Sequence, residues 1–410
     1  MRALSAVRGS AALQAAWRVF WPTRMAVLLV AVFAALSFGP AAGGLAAENA
    51  AKFDTPQLTH ALADPLLSPL ARWDAVWYLR VAQGGYGGDQ ARAAFFPLYP
   101  LAVRALATPL GGSPAALLAA AYAVALAAFL GALALLYRLV SLELGRPLAR
   151  PALLLLAVFP AAVYFGAPYA ESLFLLLTVG AFYAARTDRW GWAGLCAALA
   201  AATRPTGVLL VLPLAILWWT SRERRLGDVA CLAFAPLGLV AFGLYLGLAE
   251  GDALAFVHAN EAWYRELSVP LAGAWDGLGA AFDGVRQLAS GQRDVVYFQE
   301  AAGDPYRIAA TNLILFGSLV FAVAACVGVF RRLPAAYGAW VAVSLALPLS
   351  APVGPQPLMS LPRFVAVLFP IFMWLAVWCE ERRATERVVA VSAIGLGLFT
   401  AQFASWHWIA

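Results

Sequence analysis

The segment Arg72-Trp73-Asp74-Ala75-Val76-Trp77-Tyr78 places a carboxylate among aromatic side chains, after the first hydrophobic stretch of the chain. Its apolar positions recur at helical spacing, and Gly84-Gly85 predicts where the helix ends. The tryptophans indicate a helix that lies on the membrane surface. Asp74 is then either a solvated charge on the polar face of this helix or a general base that takes a proton from a hydroxyl group.

Two arginines and a glutamate stand next to apolar runs. Arg204 and Arg363 either extend toward lipid phosphates or bind the phosphate of a lipid-linked substrate through a charge-assisted fork. Arg363 is the stronger candidate for the phosphate of a donor. Glu171 falls in the first turn of a predicted helix, where the helix dipole stabilises a negative charge. An acid near the hydrocarbon boundary is costly, so a partner or a functional role is the alternative for Glu171.

Aromatic residues accompany these charges. The motif Phe95-Phe96-Pro97-Leu98-Tyr99-Pro100 has two prolines three residues apart, which predict a rigid extended turn. After Pro100, residues 101–110 are either a second surface helix or a simple re-entry of the chain into the membrane. His258, Asn260 and Trp263 open a long polar segment, although a lone histidine is more often structural. The predicted substrate-binding residues are Trp73, Tyr78, Phe96, Tyr99, Tyr169, Glu171, His258, Asn260 and Trp263.

Membrane helices must position these residues, because the 410-residue chain is 63% hydrophobic and only 12% charged, whereas a soluble domain has about 25% charged residues. Runs that cross or nearly cross about 30 Å of hydrocarbon lie at roughly 25–46, 114–142, 151–167, 169–186, 190–203, 206–220, 228–249, 309–330, 335–350, 364–379 and 387–405. We therefore predict an all-α polytopic membrane protein with about 11 transmembrane helices, forming one integral membrane domain over residues 1–410.

Arginine placement predicts the orientation of these spans. With a cytoplasmic N-terminus, the inner segments hold 17 of the 28 basic residues but only 7 of the 22 acids, and cytoplasmic loops are those with excess Lys and Arg. The outer segments include two long ones, 47–113 and 250–307, and loops of such length are usually functional. The expectation is a multi-pass plasma membrane protein with an extracytoplasmic active site.

The sequence predicts no metal site and no cofactor. Its four cysteines lie in or beside apolar runs and its three histidines are far apart, so no zinc-type spacing exists. No Gly-rich nucleotide loop occurs, and the predicted inner loops are too short for a nucleotide-sugar domain. A sugar donor would therefore be carried by a lipid and used outside the cytoplasm. The net charge of +6 is explained by orientation, so no nucleic-acid partner is predicted.

An ordered set of motifs gives the chain a family resemblance. In chain order they are Arg72-Trp73-Asp74-Ala75, Gly84-Gly85-Tyr86, Phe95-Phe96-Pro97-Leu98-Tyr99-Pro100, Pro168-Tyr169-Ala170-Glu171-Ser172-Leu173-Phe174, Ala202-Thr203-Arg204-Pro205-Thr206-Gly207 and Pro362-Arg363-Phe364 with Phe369-Pro370. Each motif alone is weak. Their consistent order, from residue 72 to about residue 375, resembles the bacterial relatives of GPI mannosyltransferase II, the PIG-V-like mannosyltransferases of the GT-C superfamily.

The resemblance implies a GT-C fold with amphipathic surface helices in the first outer loop. It implies an inverting transfer of a sugar, mannose in this family, from a polyprenyl-phosphate donor to a lipid or glycan acceptor. Asp74 would be the general base, since the presumed base of the family is an acid on the first outer loop. Arg363, or more weakly Arg204, would offset the charge of the leaving phosphate. Donor, acceptor and membrane lipids are the expected partners.

Two other functions stay open. A secondary transporter or lipid flippase would keep charges near the bilayer midplane and show two related halves with broken helices. The charges here cluster at one predicted face and no repeated half is visible, which favours an enzyme. A non-catalytic scaffold subunit of a glycosyltransferase complex would need no base, so the presence of Asp74 argues against it.

Overall fold

The structure is a computed structural model that describes residues 2–38, 66–87, 89–221, 225–265, 267–292, 297, 304–353 and 356–408. Most of these residues are helical, and the strand-like pairing among them is one isolated antiparallel bridge between Arg265 and Val353. The predicted all-α membrane architecture is confirmed. Parts of the two long outer segments, at 47–65 and at 293–303 apart from residue 297, lie outside the described residues.

The helices of the described residues follow one another with short connections. The α-helices are α1 (Arg2–Phe38), α2 (Asp74–Gly84), α3 (Leu98–Ala107), α4 (Pro114–Glu143), α5 (Arg146–Ala157), α6 (Glu171–Arg186), α7 (Trp190–Ala201), α8 (Val211–Thr220), α9 (Leu226–Leu232), α10 (Leu237–Ala249), α11 (Ala255–His258), α12 (Ala272–Ser290), α13 (Pro305–Arg332), α14 (Ala335–Leu349), α15 (Leu361–Ala366), α16 (Phe369–Glu381) and α17 (Thr385–Ala404). Short 3-10 segments cover Ser68–Leu70, Gln90–Ala94, Thr108–Leu110, Pro160–Phe165, Pro205–Leu210 and Glu261–Trp263.

Five helical segments of the described residues are long and apolar enough to cross a membrane. They are Ala11–Phe38, Pro114–Glu143, Leu226–Ala249, Pro305–Arg332 and Thr385–Ala404. The other apolar runs fall on shorter helices, several of which are interrupted. The count of about eleven crossings therefore stays a prediction.

Two of these interruptions lie at prolines, which have no N–H and disfavour a helical conformation in the residue before them, although Pro22, Pro151 and Pro348 lie inside helices. α5 ends at Ala157 and Pro160 begins a 3-10 segment, while Pro205 begins another before α8. At the first break, Arg24 of α1 donates to the carbonyl oxygens of Ala157 at 2.8 Å and Ala162 at 2.6 Å. Backbone acceptors at the break are thus satisfied inside the protein, as irregular backbone at membrane depth requires.

The turn predicted at residues 95–100 is extended only at its start. Phe95 has an extended backbone, but α3 already begins at Leu98 and includes Pro100 in its first turn. A proline is tolerated there because the first N–H groups of a helix have no intrahelical acceptor. The prediction of an extended turn through Pro100 is therefore wrong. A helix is observed here as α3, which exposes Leu101 and Leu106, and its place at the membrane surface stays a prediction.

Two glycines bring α7 close to its neighbours. A Cβ on Gly207 would lie 2.3 Å from the carbonyl carbon of Ala200, and a Cβ on Gly238 would lie 2.0 Å from the carbonyl oxygen of Ala198. Neither distance accommodates a side chain, and small residues at such crossings let helix backbones approach in membranes. This packing fixes the end of α7, and with it Arg204, against α10.

The helix bundle has two distinct ends, which α13 connects. α13 has 28 residues and is about 42 Å long at 1.5 Å per residue. Asp304, directly before its first turn, and Arg307 in that turn line a large cavity. We call this side the cavity end. Its last turn, with Arg331 and Arg332, lies beside Arg382 at the end of α16, and we call this side the arginine end.

Three more helices meet at the arginine end. Glu143, at the end of α4, accepts hydrogen bonds from Arg186 at the end of α6 and from the Tyr337 hydroxyl at 3.0 Å. Tyr337 lies in the first turn of α14, directly after α13. Because α6 begins at Glu171 and ends at Arg186, it also runs from one end of the bundle to the other.

Candidate functional site

A cavity of about 1200 Å³ opens at the cavity end. Its wall comes from α2, the segment before α3, the chain after α7, residues 256–265, the first turns of α13 and the chain around α15. The predicted site residues that line it are Trp73, Asp74, Tyr78, Phe96, Arg204, His258, Asn260, Trp263 and Arg363. The other three, Tyr99, Tyr169 and Glu171, are fully buried behind the wall.

Four charged side chains form one network at the cavity wall. Arg363 donates through Nε to Glu171 Oε1 and through Nη1 to Asp74 Oδ2. Arg204 donates through Nη1 to the same oxygen of Glu171 at 3.1 Å. All four residues are candidates predicted from the sequence, but the pairing between them is not. The network joins positions as far as 289 residues apart, and such pairing is visible only in three dimensions.

The two carboxylates of this network differ in exposure. The Asp74 side chain is 18% exposed and lines the cavity, whereas the Glu171 side chain is 0% exposed. Oε1 of Glu171 accepts from both guanidinium groups, and its Oε2 has no hydrogen-bond partner among the described residues. A buried carboxylate needs such cations to compensate its charge. Glu171 therefore anchors the two arginines, and Asp74 is the carboxylate that a molecule in the cavity meets.

Trp73 determines where α2 begins. Its backbone has φ 57° and ψ −121°, a left-handed conformation that is strained for a bulky residue. Its ring packs edge-on against Trp406 and Trp408, with ring centroids 5.8 Å and 5.2 Å away. The helix then begins at Asp74, where the helix dipole stabilises a negative charge. The C-terminal tryptophans thus fix the direction in which the Asp74 side chain leaves the backbone.

Buried tyrosines support this part of the wall from behind. The Tyr169 hydroxyl donates to the Arg72 carbonyl at 2.8 Å, and the Arg72 guanidinium lies 4.3 Å from the ring centroid of Trp406. The Tyr99 hydroxyl donates to the Ala121 carbonyl at 2.9 Å. Both tyrosines are 0% exposed. Each hydroxyl has a backbone partner, so these side chains hold the wall in place.

α2 is more buried by the protein than a helix with one free polar face would be, and its position relative to the membrane surface stays a prediction. The buried residues of α2 are Ala75, Val76, Tyr78, Leu79, Val81 and Ala82. The Tyr78 ring packs edge-on against Phe95 at 5.0 Å and Tyr99 at 5.2 Å. Because burial removes water from the phenol, the pKa of Tyr78 is raised and the hydroxyl stays neutral. α2 is enclosed because α3 and α4 cover the faces that a surface helix would leave open.

Aromatic rings form much of the remaining wall. Trp263 packs edge-on against Trp77 at 5.4 Å and Phe95 at 5.7 Å, and Trp77 stacks on Phe95. The ring centroids of Phe96 and of Phe256, which lies in the long segment 250–307, are 5.8 Å apart. The first and second long outer segments are therefore joined by aromatic contacts. A mostly apolar wall with a few charged groups is typical of a small-molecule binding site.

His258 and Asn260 lie on the more exposed side of the cavity. His258 Nδ1 is 2.7 Å from Asp252 Oδ2, and this bond, with one from the Leu254 amide, lowers the pKa of Asp252. Asn260 donates to two carbonyls of the preceding turn at 3.1 Å. Both predicted residues line the cavity, and both are hydrogen-bonded within their own segment.

Arg265 is a site residue to which the sequence analysis gave no role. It donates to the carbonyls of Ala351 at 3.2 Å and Met359 at 2.8 Å, and among the described residues it makes no ion pair. Its guanidinium carbon lies 5.6 Å from the centroid of the Phe364 ring, and that of Arg204 lies 5.3 Å from it. Burial lowers the pKa of Arg265 to about 10, so it is charged at neutral pH. Asp74 and Glu171 thus lie beside three guanidinium groups, those of Arg204, Arg265 and Arg363. Glu261, Asp304 and Arg307 also line the cavity.

Within the part of the chain that the structure describes, no group of three or more His, Cys, Asp or Glu is placed to hold a metal ion. The expectation that the protein needs no metal stays a prediction.

A comparison with protein families matches a region of the chain that contains some of the site residues. Residues 17–216 match the family model described as Mannosyltransferase (PIG-V). The resemblance to the PIG-V-like mannosyltransferases is therefore confirmed. Asp74, Glu171 and Arg204 lie inside the matched region, whereas Arg265 and Arg363 lie beyond it.

Curated relatives are similar over a shorter stretch. GPI alpha-1,6-mannosyltransferase 2 of Rattus norvegicus is 39% identical over 159 residues, which are 37% of this chain and 32% of the rat protein. The protein of the same name from Cricetulus griseus is 35% identical over 175 residues, 40% of this chain and 35% of that protein. The matched part of the chain thus spans about a third of the length of these relatives.

Solved structures of an archaeal enzyme share the general arrangement of helices only loosely. The Archaeoglobus fulgidus oligosaccharyltransferase tethered with an acceptor peptide has a TM-score of 0.45 and 12% identity, covering 95% of this chain and 56% of that one. The same protein, AglB, in complex with an inhibitory peptide and a dolichol-phosphate has a TM-score of 0.45 and 13% identity, covering 96% and 57%. No site residue is inferred from this likeness.

Proposed function

We propose that this chain, whose residues 17–216 match the PIG-V mannosyltransferase family, is a membrane glycosyltransferase. It moves a sugar, mannose by analogy with the names of its relatives, from a polyprenyl-phosphate donor to a hydroxyl of a lipid or glycan acceptor. The reaction takes place on the extracytoplasmic face of the plasma membrane. The observation that carries the proposal is the Asp74 carboxylate, held by Arg363 at the wall of a cavity of about 1200 Å³.

Asp74 is the general base of the proposed reaction. It accepts the proton of the acceptor hydroxyl while that oxygen attacks C1 of the donor sugar. The bond between C1 and the phosphate oxygen breaks, its electron pair stays on the leaving polyprenyl phosphate, and the anomeric centre inverts. Glu171 does not fit this role, because its side chain is fully buried behind Arg363.

The guanidinium groups suit the phosphate of the donor. A guanidinium has five N–H donors, and Arg363 uses Nε and Nη1 on the two carboxylates, so it still has donors for a phosphate oxygen. Arg204 and Arg265 stand on the same wall, and Arg265 adds a guanidinium group that makes no ion pair among the described residues. Fixed cations aimed at a developing negative charge are usually a large part of catalysis.

The proposal is tested by following radiolabelled mannose from polyprenyl-phosphate mannose into endogenous glycolipids and glycans of membranes that contain the protein. Asp74→Asn keeps the shape of the side chain and removes its basicity, so product formation should fall by about 10²-fold or more. Asp283→Asn is the matched control, because Asp283 is half-buried, pairs with Arg286 and does not line the cavity.

Two outcomes would contradict the proposal. Equal product formation by the parent and Asp74→Asn at equal expression would remove the base role from Asp74. Labelled donor that crosses the bilayer of a proteoliposome without any new glycosidic product would identify a transporter instead.

A further inference from the structure

A second cavity lies at the arginine end, between the last turns of α13 and α16. Its volume is about 280 Å³. The residues that line it are Ala324, Val327, Gly328, Arg331, Arg332, Trp374, Val377, Trp378, Glu381 and Arg382. None of them belongs to the site at the cavity end, and we call this space the arginine cleft.

The rim of the arginine cleft carries more positive than negative charge. Glu381 is 2.9 Å from a guanidinium nitrogen of Arg332 and 3.8 Å from one of Arg382. Arg331 makes no ion pair among the described residues. The side chains of Arg332 and Arg382 are 51% and 53% exposed. Three cations therefore face one anion, and their N–H groups stay accessible to an anion from outside.

The floor of the arginine cleft is apolar. Trp374, Trp378 and Val377 of α16 face Val327 of α13. A Cβ on Gly328 would lie 2.1 Å from Trp374 Nε1, so the indole occupies the space that a side chain at position 328 would need. The two helices therefore come together at Gly328, and the rim of arginines lies one turn further along α13.

The outer face of α13 continues this apolar surface away from the arginines. Val320, Val323 and Val327 are 54%, 51% and 45% exposed and follow one another at helical spacing. α13 is long and apolar enough to cross a membrane, so this stripe faces acyl chains. Arginines at the end of such a helix lie at the level of the lipid headgroups.

We propose that the arginine cleft binds one anionic phospholipid, with its phosphate on the arginine rim and an acyl chain along the valine stripe. Basic pockets between membrane helices bind anionic headgroups, and each Lys or Arg near the membrane surface adds to that attraction. A guanidinium fork matches two phosphate oxygens. A zwitterionic lipid gains less, because its own cation lies near the same rim.

Native mass spectrometry of the detergent-purified protein tests this proposal by counting bound phosphatidylglycerol against phosphatidylcholine. Arg331→Ala/Arg382→Ala should weaken phosphatidylglycerol retention by about tenfold or more, the scale of one charge-assisted hydrogen bond. Arg146→Ala/Arg150→Ala is the matched control. It removes two exposed arginines at the start of α5, which follows Glu143 at the same end of the bundle.

A second variant keeps every charge and fills the floor of the cleft. Val327→Phe should also reduce phosphatidylglycerol retention, and it keeps the proposal testable if the double arginine variant does not fold. Equal losses in the cleft variant and in Arg146→Ala/Arg150→Ala would show a diffuse basic surface and overturn the proposal. Displacement of the lipid by millimolar inorganic phosphate would show a simple anion site and overturn it as well.

Discussion

The Glu171–Arg363 ion pair at the cavity end and the Arg332–Glu381 ion pair at the arginine end have the same chemistry in different surroundings. The side chains of Glu171 and Arg363 are 0% and 7% exposed, and those of Arg332 and Glu381 are 51% and 40% exposed. An exposed pair contributes about 0–1 kcal/mol, whereas losing one partner of a buried pair costs about 3–5 kcal/mol because a charge is left uncompensated. Burial, rather than the presence of charges, therefore distinguishes these two ion pairs.

The largest expected effect concerns which end faces the outside. A cysteine introduced at position 283 should react fully with an impermeant thiol reagent on intact cells, and one at position 146 should react only after permeabilisation. α12, which contains position 283, packs on the start of α13 at the cavity end. The four native cysteines are replaced first. If only position 146 is labelled from outside, the arginine end faces the outside and the predicted orientation is reversed.

The next effect concerns stability. Glu171→Leu should lower the free energy of unfolding by about 3–5 kcal/mol, because it leaves the largely buried Arg204 without a carboxylate and Arg363 with Asp74 alone. Glu381→Leu is the counterpart at the arginine end and should change the free energy of unfolding by about 1 kcal/mol or less. Equilibrium unfolding in mixed micelles measures both. Similar values for the two variants would mean that burial does not separate the two ends energetically.

A smaller effect is expected on donor binding. Arg363→Lys keeps the charge but loses the planar fork, so the KM for the lipid donor should rise and kcat/KM should fall by about tenfold, the scale of one charge-assisted bond. Arg332→Lys makes the same change at the arginine end and should leave transfer unchanged.

Binding of a fluorescent donor analogue assigns the phosphate to one arginine. If Arg204→Ala weakens binding and Arg363→Ala does not, the roles of the two arginines are exchanged. If neither variant binds the analogue more weakly, the two residues serve only to hold Glu171 and Asp74.

The smallest effect comes from single hydroxyl groups. Tyr169→Phe removes the bond to the Arg72 carbonyl, a net contribution of about 0.5–1.5 kcal/mol, and so should lower kcat by about two- to tenfold without changing the donor KM. Tyr337→Phe removes a comparable bond to Glu143 at the arginine end and should reduce stability alone. A loss of transfer in Tyr337→Phe as large as in Tyr169→Phe would show that the two ends are coupled.

The charged residues of the site could be predicted from the sequence because each interrupts an apolar context. Asp74, Glu171, Arg204 and Arg363 all have that signal, and Gly85 marked the end of α2 with its φ of 72°. Arg265 lacked it, since it stands in a polar segment and gains its position only by docking on two carbonyls of the chain before α15. Long-range docking of this kind leaves no periodic trace in the sequence.

Burial around α2 could not be predicted either. Helical spacing correctly indicated a helix, but spacing alone does not show whether a face meets lipid, water or another helix. Trp73 fitted the helical pattern, yet its positive φ places it before the first turn. That conformation depends on contacts with Trp406 and Trp408, more than 300 positions later in the chain.

These tryptophan contacts also bear on how the protein is made. Residues 72–74 are synthesised early, and Trp406 and Trp408 near the end, so ribosomes adding about 5–20 residues per second separate the two by a time on the order of 20–70 s. Arg363 follows Asp74 by 289 positions, so Asp74 lacks its arginine for most of this interval and lacks the two rings until its end. The candidate site is therefore assembled only after α17 and residues 406–408 have been synthesised, and we expect a fusion directly after Trp408 to disturb transfer more than a fusion before Met1.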